Sequence, residues 1–334
     1  MRADDFSSTG PQLNRAGIGH CPLVLGECVQ GRTPEGRHFL ITSPIGLFSW
    51  AEFTLDYEDQ EIVVEPSGCW KALAAVEAYL TAHGLPKKGR LRVFTPVGPG
   101  QGFGTSTADI CASLRAVSAV WNTAVSAEEV AHIAIRIEPS DGSMYSGCVA
   151  FAHREGTLLE RLGCLPRFES VVLCTGGVVD TIEFDVRRKT FMYSAEDQAQ
   201  LMAAWAMVRH ANRTRDASLL ARASTLSARI NEQLLAKPYF EELSAFVEMQ
   251  GADGIMVAHS GTALALLFDP DRPGCAQRIQ DAKFFVSRLA PPAWFEMSNQ
   301  PFFQRVTFLP LSRMSFPGLA VNTPQHPSAF SPTG

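Results

Sequence analysis

The spacing of apolar residues along the chain predicts a mixture of strands and helices. Short runs rich in β-branched and aromatic residues, bounded by turn-forming residues, favour strands. Apolar residues three and four positions apart favour amphipathic helices. Strand patterns occur across 37–65, for example at 38–42 and 61–65. The other predicted strands are 90–95, 149–153, 157–162, 170–174, 255–259, 263–268 and 303–309. The predicted helices are 69–83, 108–122, 127–137, 195–210, 217–235, 239–250 and 276–289.

Three residues mark where helices begin or end. Ser194 and Asp216 precede predicted helices, and a side-chain oxygen at that position accepts a hydrogen bond from the first helical turn. Pro139 follows helix 127–137 by two positions, and the residue before a proline avoids helical backbone angles. We therefore expect this helix to stop before Glu138-Pro139.

The order of these elements predicts an α+β protein, because strands and helices alternate irregularly before a helical block and further strands. With 334 residues, the chain is long enough for two domains. Gly176-Gly177 and the charged stretch 185–189 interrupt the pattern, so we place a boundary within 176–194. The predicted units are an N-terminal domain at 17–180, a C-terminal domain at 190–320, and flexible tails at 1–16 and 322–334.

Composition and charge exclude several classes of protein. The chain is 46% hydrophobic and 19% charged, which is ordinary for a globular protein, and its net charge of −5 argues against nucleic acid as the main partner. No window holds the roughly 20 apolar residues of a membrane span. No signal-peptide core is present near the start, and no Cys-x-x-Cys pair suggests zinc. We expect a cytoplasmic protein without a membrane or nucleic-acid partner.

A glycine-rich loop lies between strand 90–95 and the following helix. Glycines alternate with other residues there, and hydroxylic residues follow; the members are Gly98, Gly100, Gly102, Gly104, Thr105, Ser106 and Thr107. Glycine lets backbone N–H groups approach an anion, and a helix N-terminus adds unpaired donors. No lysine lies between Lys88 and Lys189, which excludes a Walker A loop. The segment predicts a nucleotide phosphate site whose hydroxyls complete the cradle or hold Mg²⁺.

Two carboxylates, Glu138 and Asp141, follow helix 127–137 at the start of a Gly/Ser loop. Phosphoryl transfer requires a metal ion near the phosphates and a group that orients or deprotonates the acceptor hydroxyl. Glu138 and Asp141 are residue types suited to those two roles. The alternative is an Asp-Gly turn beside a solvated glutamate.

The glycine loop resembles the central motif of the GHMP small-molecule kinases, Pro-x-x-x-Gly-Leu-Gly-Ser-Ser-Ala. The matching positions are Pro96, Gly102, Phe103, Gly104, Thr105 and Ser106, with Thr107 in the usual Ala place. Residues 19–31 resemble the first motif of one branch, Cys-Pro-x-x-x-Gly-Glu-x-x-Gln-Gly, and 258–268 resemble the third motif with Gly261 alone. Thr-Ala-Asp-Ile at 107–110 is similar to the L-threonine kinases of cobalamin synthesis and propanediol utilisation. The three motifs stand in family order.

This resemblance implies a ribosomal-S5-like N-terminal domain, a ferredoxin-like C-terminal domain and an active site between them. It implies ATP and Mg²⁺ as cofactors, with Asp141 as the catalytic base and Ser106 and Glu138 as Mg²⁺ ligands. Glu27 and Gln30 would contact the acceptor. ATP would be bound by Pro96, Gly98, Gly100, Gly102, Phe103, Gly104, Thr105, Ser106 and Thr107. His259 is left outside the catalytic set, since substrate contact and a buried structural role are equally open.

The leading functional prediction is an ATP-dependent kinase that phosphorylates the hydroxyl of a small molecule, with L-threonine as the first candidate. One alternative is the same chemistry on homoserine, a sugar or an isoprenoid alcohol. The other is a catalytically silent nucleotide-binding protein on the same fold. The expected partner is a small alcohol or amino acid, and the expected assembly is a monomer or a homodimer.

Overall fold

The computed structural model describes residues 16–175, 191–289 and 293–299. The predicted strand at 303–309 and tail at 322–334 lie outside these residues. Nearly all of the tail at 1–16 and most of the predicted boundary at 176–194 lie outside them as well.

Strands and helices both contribute to the described residues, which confirms the predicted α+β class. The strands are β1 Ala16–Arg32, β2 His38–Thr54, β3 Ile62–Glu65, β4 Gly89–Phe94, β5 Cys148–Ala152, β6 Thr157–Gly163, β7 Glu169–Cys174, β8 Gly254–Val257, β9 Ala263–Phe268 and β10 Ala293–Ser298. The helices are α1 Trp70–Ala82, α2 Thr105–Val120, α3 Ala127–Ile137, α4 Ala195–Thr214, α5 Ala217–Asn231, α6 Phe240–Glu248 and α7 Cys275–Arg288.

The described strands form one sheet with the order β10-β7-β9-β8-β1-β2-β4-β3, and β5 joins β2 to β6. The N-terminal and C-terminal strands meet where β1 pairs with β8, through Glu27 opposite Val257. This pairing brings the first motif, on β1, beside the residues that lead into the third motif. The division into domains at 17–180 and 190–320 stays a prediction, and β7 pairs on both sides with C-terminal strands.

Helix α2 lies unusually close to β1. A Cβ atom added to Gly19 would come within 2.1 Å of the Ala112 carbonyl oxygen, so only glycine fits there. The residues of α2 that lie against the glycines of β1 include Ala112, Ala116 and Ala119, whose small side chains permit this close approach. The close packing fixes the N-terminus of α2 at the middle of the sheet, and the glycine loop that precedes it is fixed with it.

Most predicted elements are confirmed within a few residues, and both predicted caps are present. Ser194 accepts from the Asp197 amide and Asp216 from the Leu219 amide, while α3 ends at Ile137. Two strands were not predicted. β10 lacked a clear pattern, and β1 contains Gly17, Gly19, Pro22 and Gly26, which lower strand propensity.

Within the part of the chain that the structure describes, no helix has both the length and the apolar character needed to cross a membrane. The cytoplasmic location and the choice between a monomer and a homodimer remain predictions from the sequence.

Candidate active site

The glycine loop between β4 and α2 is held in a shape that other residues would not adopt. Gly100, Gly102 and Gly104 all have positive φ, at 75°, 99° and 62°. A Cβ on Gly102 would lie 1.9 Å from the Ala258 side chain, and one on Gly104 would lie 2.4 Å from the Asp141 carboxylate. The glycines therefore allow both positive φ and close approach to the third motif and to the predicted base.

Backbone hydrogen bonds join this loop to the other two motifs. Two amides of β1 donate to the carbonyls of Gly102 and Phe103 at 3.1 Å, and the amides of residues 262 and 263 donate to the Gln101 carbonyl at 3.0 and 2.9 Å. The three motifs, which span residues 19–268 of the sequence, thus form one structural unit. The donors on β1 are Val24 and Gly26.

A cleft opens between this unit, the first turn of α2 and the turn after α3. Its lining contains three carboxylates together with the backbone of the glycine loop. The lining residues are Glu27, Gln30, Leu40, Gly100, Gly102, Gly104, Thr105, Ser106, Thr107, Glu138, Pro139, Ser140, Asp141, His153 and Ser260. The glycine loop and acidic side chains thus line the same space, which is the combination that a metal–phosphate ligand requires.

Ser106 and Glu138 meet at one end of the cleft. The Ser106 hydroxyl donates a hydrogen bond to Glu138 Oε1, and the Lys71 ammonium lies 2.5 Å from Oε2. No group of three or more His, Cys, Asp or Glu residues suited to a metal occurs in the described ranges. Mg²⁺ commonly takes one or two protein oxygens and completes its shell with phosphates and water. The pair formed by half-buried Ser106 and buried Glu138 fits an ion that arrives with a nucleotide.

Asp141 lies between the glycine loop and the first motif. Its backbone N–H donates to Thr107 Oγ1 at 3.2 Å, and the Ser143 N–H donates to its Oδ1 at 2.8 Å. Burial raises the pKa of Asp141 to about 6, the hydrogen bonds from Ser143 oppose this rise, and the nearby negative charge of Glu27 adds to it. A carboxylate with this pKa is ionised at neutral pH and basic enough to accept a proton from a hydroxyl.

The opposite end of the cleft is built around Glu27 and Gln30. Glu27 Oε2 accepts hydrogen bonds from the His259 backbone N–H at 2.9 Å and lies 3.1 Å from His259 Nδ1. The Gln30 side chain is buried, and its Oε1 has no hydrogen-bond partner among the described residues. Since a buried amide oxygen normally accepts a hydrogen bond, this end of the cleft lacks a donor that a ligand would provide.

A profile of the GHMP kinases N terminal domain matches residues 69–154, from the start of α1 through the glycine loop to just after β5. This segment of the chain is therefore similar to the N-terminal domain of the GHMP kinases. The matched range contains Ser106, Glu138 and Asp141, whereas Glu27 and Gln30 lie before it. The resemblance inferred from the sequence is thereby confirmed.

Whole-chain relatives agree with this domain match. L-threonine kinases from Citrobacter freundii and Salmonella typhimurium are each 27% identical to the chain, over 265 and 266 residues. The matches cover 76% and 78% of this chain and 87% and 85% of the relatives. A homoserine kinase structure from Cytophaga hutchinsonii superimposes with a TM-score of 0.65 at 14% identity, covering 89% of this chain and 97% of that one. The predicted GHMP kinase fold is confirmed.

The glycine loop brings most of the predicted nucleotide-binding residues to the cleft. Gly100, Gly102 and Gly104 line it together with residues 105–107. Pro96, Gly98 and Phe103 do not line it. Pro96 is half-buried, Gly98 is exposed and Phe103 is buried. Phe103 fills the core in the place where the family motif has Leu, so its contribution is to packing.

Thr107 occupies the place where the family motif has Ala, and the structure gives the substitution a role. Its hydroxyl accepts the Asp141 backbone N–H, and Thr107 is itself buried. The extra oxygen therefore satisfies a buried donor beside the predicted base. This departure from the motif is therefore consistent with the predicted role of Asp141.

Several residues of the site were not identified from the sequence. Lys71 pairs with Glu138, His153 and Ser260 line the cleft, and Lys237 donates to the Gly261 carbonyl at 2.9 Å. Burial lowers the pKa of Lys237 to about 8. Lys71 lies on α1, whereas His153, Lys237 and Ser260 lie in turns or loops. Tertiary packing alone brings these residues to the site, so the sequence carries no local signal for them.

Proposed function

We propose that this protein is an ATP-dependent kinase that transfers the γ-phosphoryl group of ATP to the hydroxyl of L-threonine, with Mg²⁺ as the metal. The observation that carries the proposal is the convergence of the three motifs on one cleft, with Asp141 between the phosphate loop and Glu27. The relatives named L-threonine kinase, which match most of the chain, support the choice of acceptor.

The glycine loop and the first turn of α2 would hold the triphosphate. Their N–H groups and the positive end of the helix dipole favour an anion at this position. Ser106 and Glu138 would hold Mg²⁺, which when bound neutralises charge on the phosphates. Lys71, beside Glu138, adds a positive charge at the same end of the cleft.

Asp141 would orient the acceptor hydroxyl and take its proton. The carboxylate is fixed by the Ser143 N–H, and its backbone is fixed by Thr107. Because its pKa is raised to about 6, it is ionised at neutral pH. Fixing the base at one point of the cleft also reduces the entropy cost of aligning the acceptor with the phosphate.

Glu27 and Gln30 would bind the ammonium group of the acceptor. The Glu27 carboxylate supplies the negative charge, and Gln30 Oε1, which has no partner within the described ranges, supplies an acceptor for an N–H donor. A sugar or an isoprenoid alcohol has no ammonium to place there, so these alternatives fit the cleft less well. Homoserine and serine do have one, so experiment must separate them from threonine.

The test is ADP release in the presence of ATP and Mg²⁺ with L-threonine, L-serine, L-homoserine, galactose and mevalonate, each as the only acceptor. Threonine-dependent release with a product mass of O-phospho-L-threonine supports the proposal. Release with another acceptor keeps the kinase and replaces the acceptor. ATP binding without release for any acceptor, including a wider set of amino alcohols, would support the silent binding protein instead.

A further inference from the structure

We infer that His259 and Ser227 are positioning residues that hold Glu27 for contact with the acceptor's ammonium group, and that the site therefore selects alcohols carrying a primary ammonium. This inference rests on the proposed function, because it assigns Glu27 to the acceptor. Neither His259 nor Ser227 lines the cleft. Both act through another side chain.

The surroundings of His259 Nδ1 show which tautomer the ring adopts. Nδ1 lies 3.1 Å from Glu27 Oε2 and 3.2 Å from the Val257 carbonyl oxygen. Both neighbours are hydrogen-bond acceptors, so Nδ1 carries the proton and donates. The His259 backbone N–H donates to the same Glu27 oxygen at 2.9 Å. Two donors from one residue thus fix the carboxylate.

Ser227, on α5, secures the other side of the ring. Its Oγ lies 2.9 Å from His259 Nε2 and accepts the Gln30 backbone N–H at 3.0 Å. Since Oγ already accepts from Gln30, its own proton is free to be donated to the unprotonated Nε2. Ser227 therefore favours the tautomer in which Nδ1 donates to Glu27.

The network joins both predicted acceptor contacts to the C-terminal half of the chain. Glu27 and Gln30 lie three residues apart on β1, and each is bonded to a residue roughly two hundred positions away. His259 and Ser227 are buried, at 2% and 1% exposure, so these bonds are shielded from water. A buried carboxylate held by fixed donors is oriented before the ligand arrives, which favours a cationic group over a neutral one.

Two amide substitutions at the same position separate positioning from packing. In His259→Asn, the side-chain nitrogen takes the place of Nδ1 and can still donate to Glu27. In His259→Gln, the side-chain amide takes the place of Nε2 and its oxygen can accept from Ser227, so that contact is kept and the donor to Glu27 is lost. Both are neutral amides of similar polarity, so the pair is matched for burial of a polar group.

The measurement is KM for L-threonine, KM for ATP and kcat for the wild type and both variants of the full chain. We expect His259→Gln to raise KM for L-threonine about tenfold or more, as expected for loss of a hydrogen bond to a charged group. We expect His259→Asn to stay within about threefold of the wild type. KM for ATP should change by less than about twofold in both, because the ATP loop is not part of the network.

Ser227→Ala provides a second variant, with Ser224→Ala as its control. Ser224 is a buried serine on the same helix whose hydroxyl has no hydrogen-bond partner among the described residues. Ser227→Ala should raise KM for L-threonine about threefold to tenfold, whereas Ser224→Ala should leave it unchanged. With (R)-3-hydroxybutyrate, which is L-threonine without its amine, the His259→Gln variant should turn over no worse than the wild type.

The outcomes distinguish the positioning role of His259 from the selection of an ammonium group and from the kinase activity itself. Equal increases in KM for L-threonine in His259→Asn and His259→Gln, with wild-type turnover intact, would overturn the positioning role alone. Faster wild-type turnover of (R)-3-hydroxybutyrate than of L-threonine would overturn selection for an ammonium group. A wild-type protein that phosphorylates none of L-threonine, L-serine and 1-amino-2-propanol would overturn the proposed function and this inference with it.

Discussion

The two ends of the cleft are built in different ways. The phosphate end consists mainly of backbone from one continuous stretch, residues 100–107, which includes the first turn of α2. The acceptor end is built from distant parts of the chain: the Glu27 side chain bonds to His259 across 232 positions, and the Gln30 backbone N–H donates to the Ser227 side chain across 197. The first is local in sequence, and the second exists only after folding.

This difference suggests which end is free to vary. A cradle of N–H groups needs glycine at a few positions and otherwise tolerates many side chains. A network of buried side chains loses its arrangement when one partner changes, because a buried polar group is then left unpaired. We therefore expect substitutions at the phosphate end to act on ATP and Mg²⁺, and substitutions at the acceptor end to act on the acceptor alone.

The largest expected effect is at Asp141, where the two ends meet. Asp141→Asn keeps the shape and can still accept the Ser143 N–H, but it cannot take a proton. We expect kcat to fall about 10³-fold, within the range attributed to general base catalysis. ATP binding should persist, and both quantities are measurable by ADP release and isothermal titration.

The free energy of unfolding provides a control for this variant. Because burial raises the pKa of Asp141, its ionised form is disfavoured in the folded state, and the group's contribution to stability is lost as pH rises from about 4 through 6. Asp141→Asn should therefore be at least as stable as the wild type at pH 7.5 in urea unfolding, and this advantage should vanish below pH 4. If Asp141→Asn is less stable than the wild type at pH 7.5, its lost activity would be explained by misfolding instead.

The phosphate end is tested by two glycine substitutions of opposite expectation. Gly102→Ala places a Cβ 1.9 Å from the Ala258 side chain at positive φ, so the loop must shift away from its bonded position. In Gly98→Ala, the added Cβ atom would lie no closer than 3.4 Å to its nearest neighbour, the Gln101 side chain. We expect ATP affinity to fall about 100-fold in the first, equivalent to about 3 kcal/mol of strain and lost contacts, and to change little in the second. Equal affinities would show that the loop does not hold the nucleotide.

Glu138→Gln also tests the phosphate end, through its effect on metal binding. The amide keeps the volume but loses the charge beside Ser106, so the Mg²⁺ concentration for half-maximal rate should rise about tenfold or more. KM for L-threonine at saturating Mg²⁺ should not change. The control is Glu128→Gln. Glu128 is an exposed glutamate in the first turn of α3, the helix that ends just before Glu138, and its substitution should not shift the Mg²⁺ dependence. A shift of equal size in the control would point to general charge effects.

Gln30→Met tests the acceptor end with a side chain of similar volume. The substitution removes the buried Oε1 that has no partner among the described residues. We expect KM for L-threonine to rise about tenfold, with KM for ATP unchanged, since one hydrogen bond to a charged donor is lost. An unchanged KM for L-threonine would mean that Gln30 faces water or another part of the ligand.

The smallest expected effect is the dependence of the rate on pH. The pKa of Asp141 is raised to about 6, and its ionised form acts as the base. At saturating ATP, kcat/KM for L-threonine should therefore fall as pH decreases and reach half its plateau near pH 6. Residual turnover in Asp141→Asn should lack this step. A wild-type profile that stays flat between pH 5 and 8 would remove Asp141 from the role of base.

The same contrast explains what the sequence could predict. The glycine loop, the helix that follows it and the end of α3 before Glu138 depend on neighbouring residues, and these were predicted within a few positions. β1 was missed because its glycines serve close packing against α2 rather than strand propensity. Lys71 and the contact between His259 and Glu27 were missed because they depend on which elements pack together.

The most direct test of the account is a crystal structure with a non-hydrolysable ATP analogue, Mg²⁺ and L-threonine bound together. We expect the triphosphate against residues 100–107, Mg²⁺ on Ser106 and Glu138, the threonine hydroxyl beside Asp141, and the ammonium within hydrogen-bond distance of Glu27 and Gln30. A threonine bound with its ammonium away from Glu27, or a triphosphate outside the glycine loop, would contradict the division of the cleft into a phosphate end and an acceptor end.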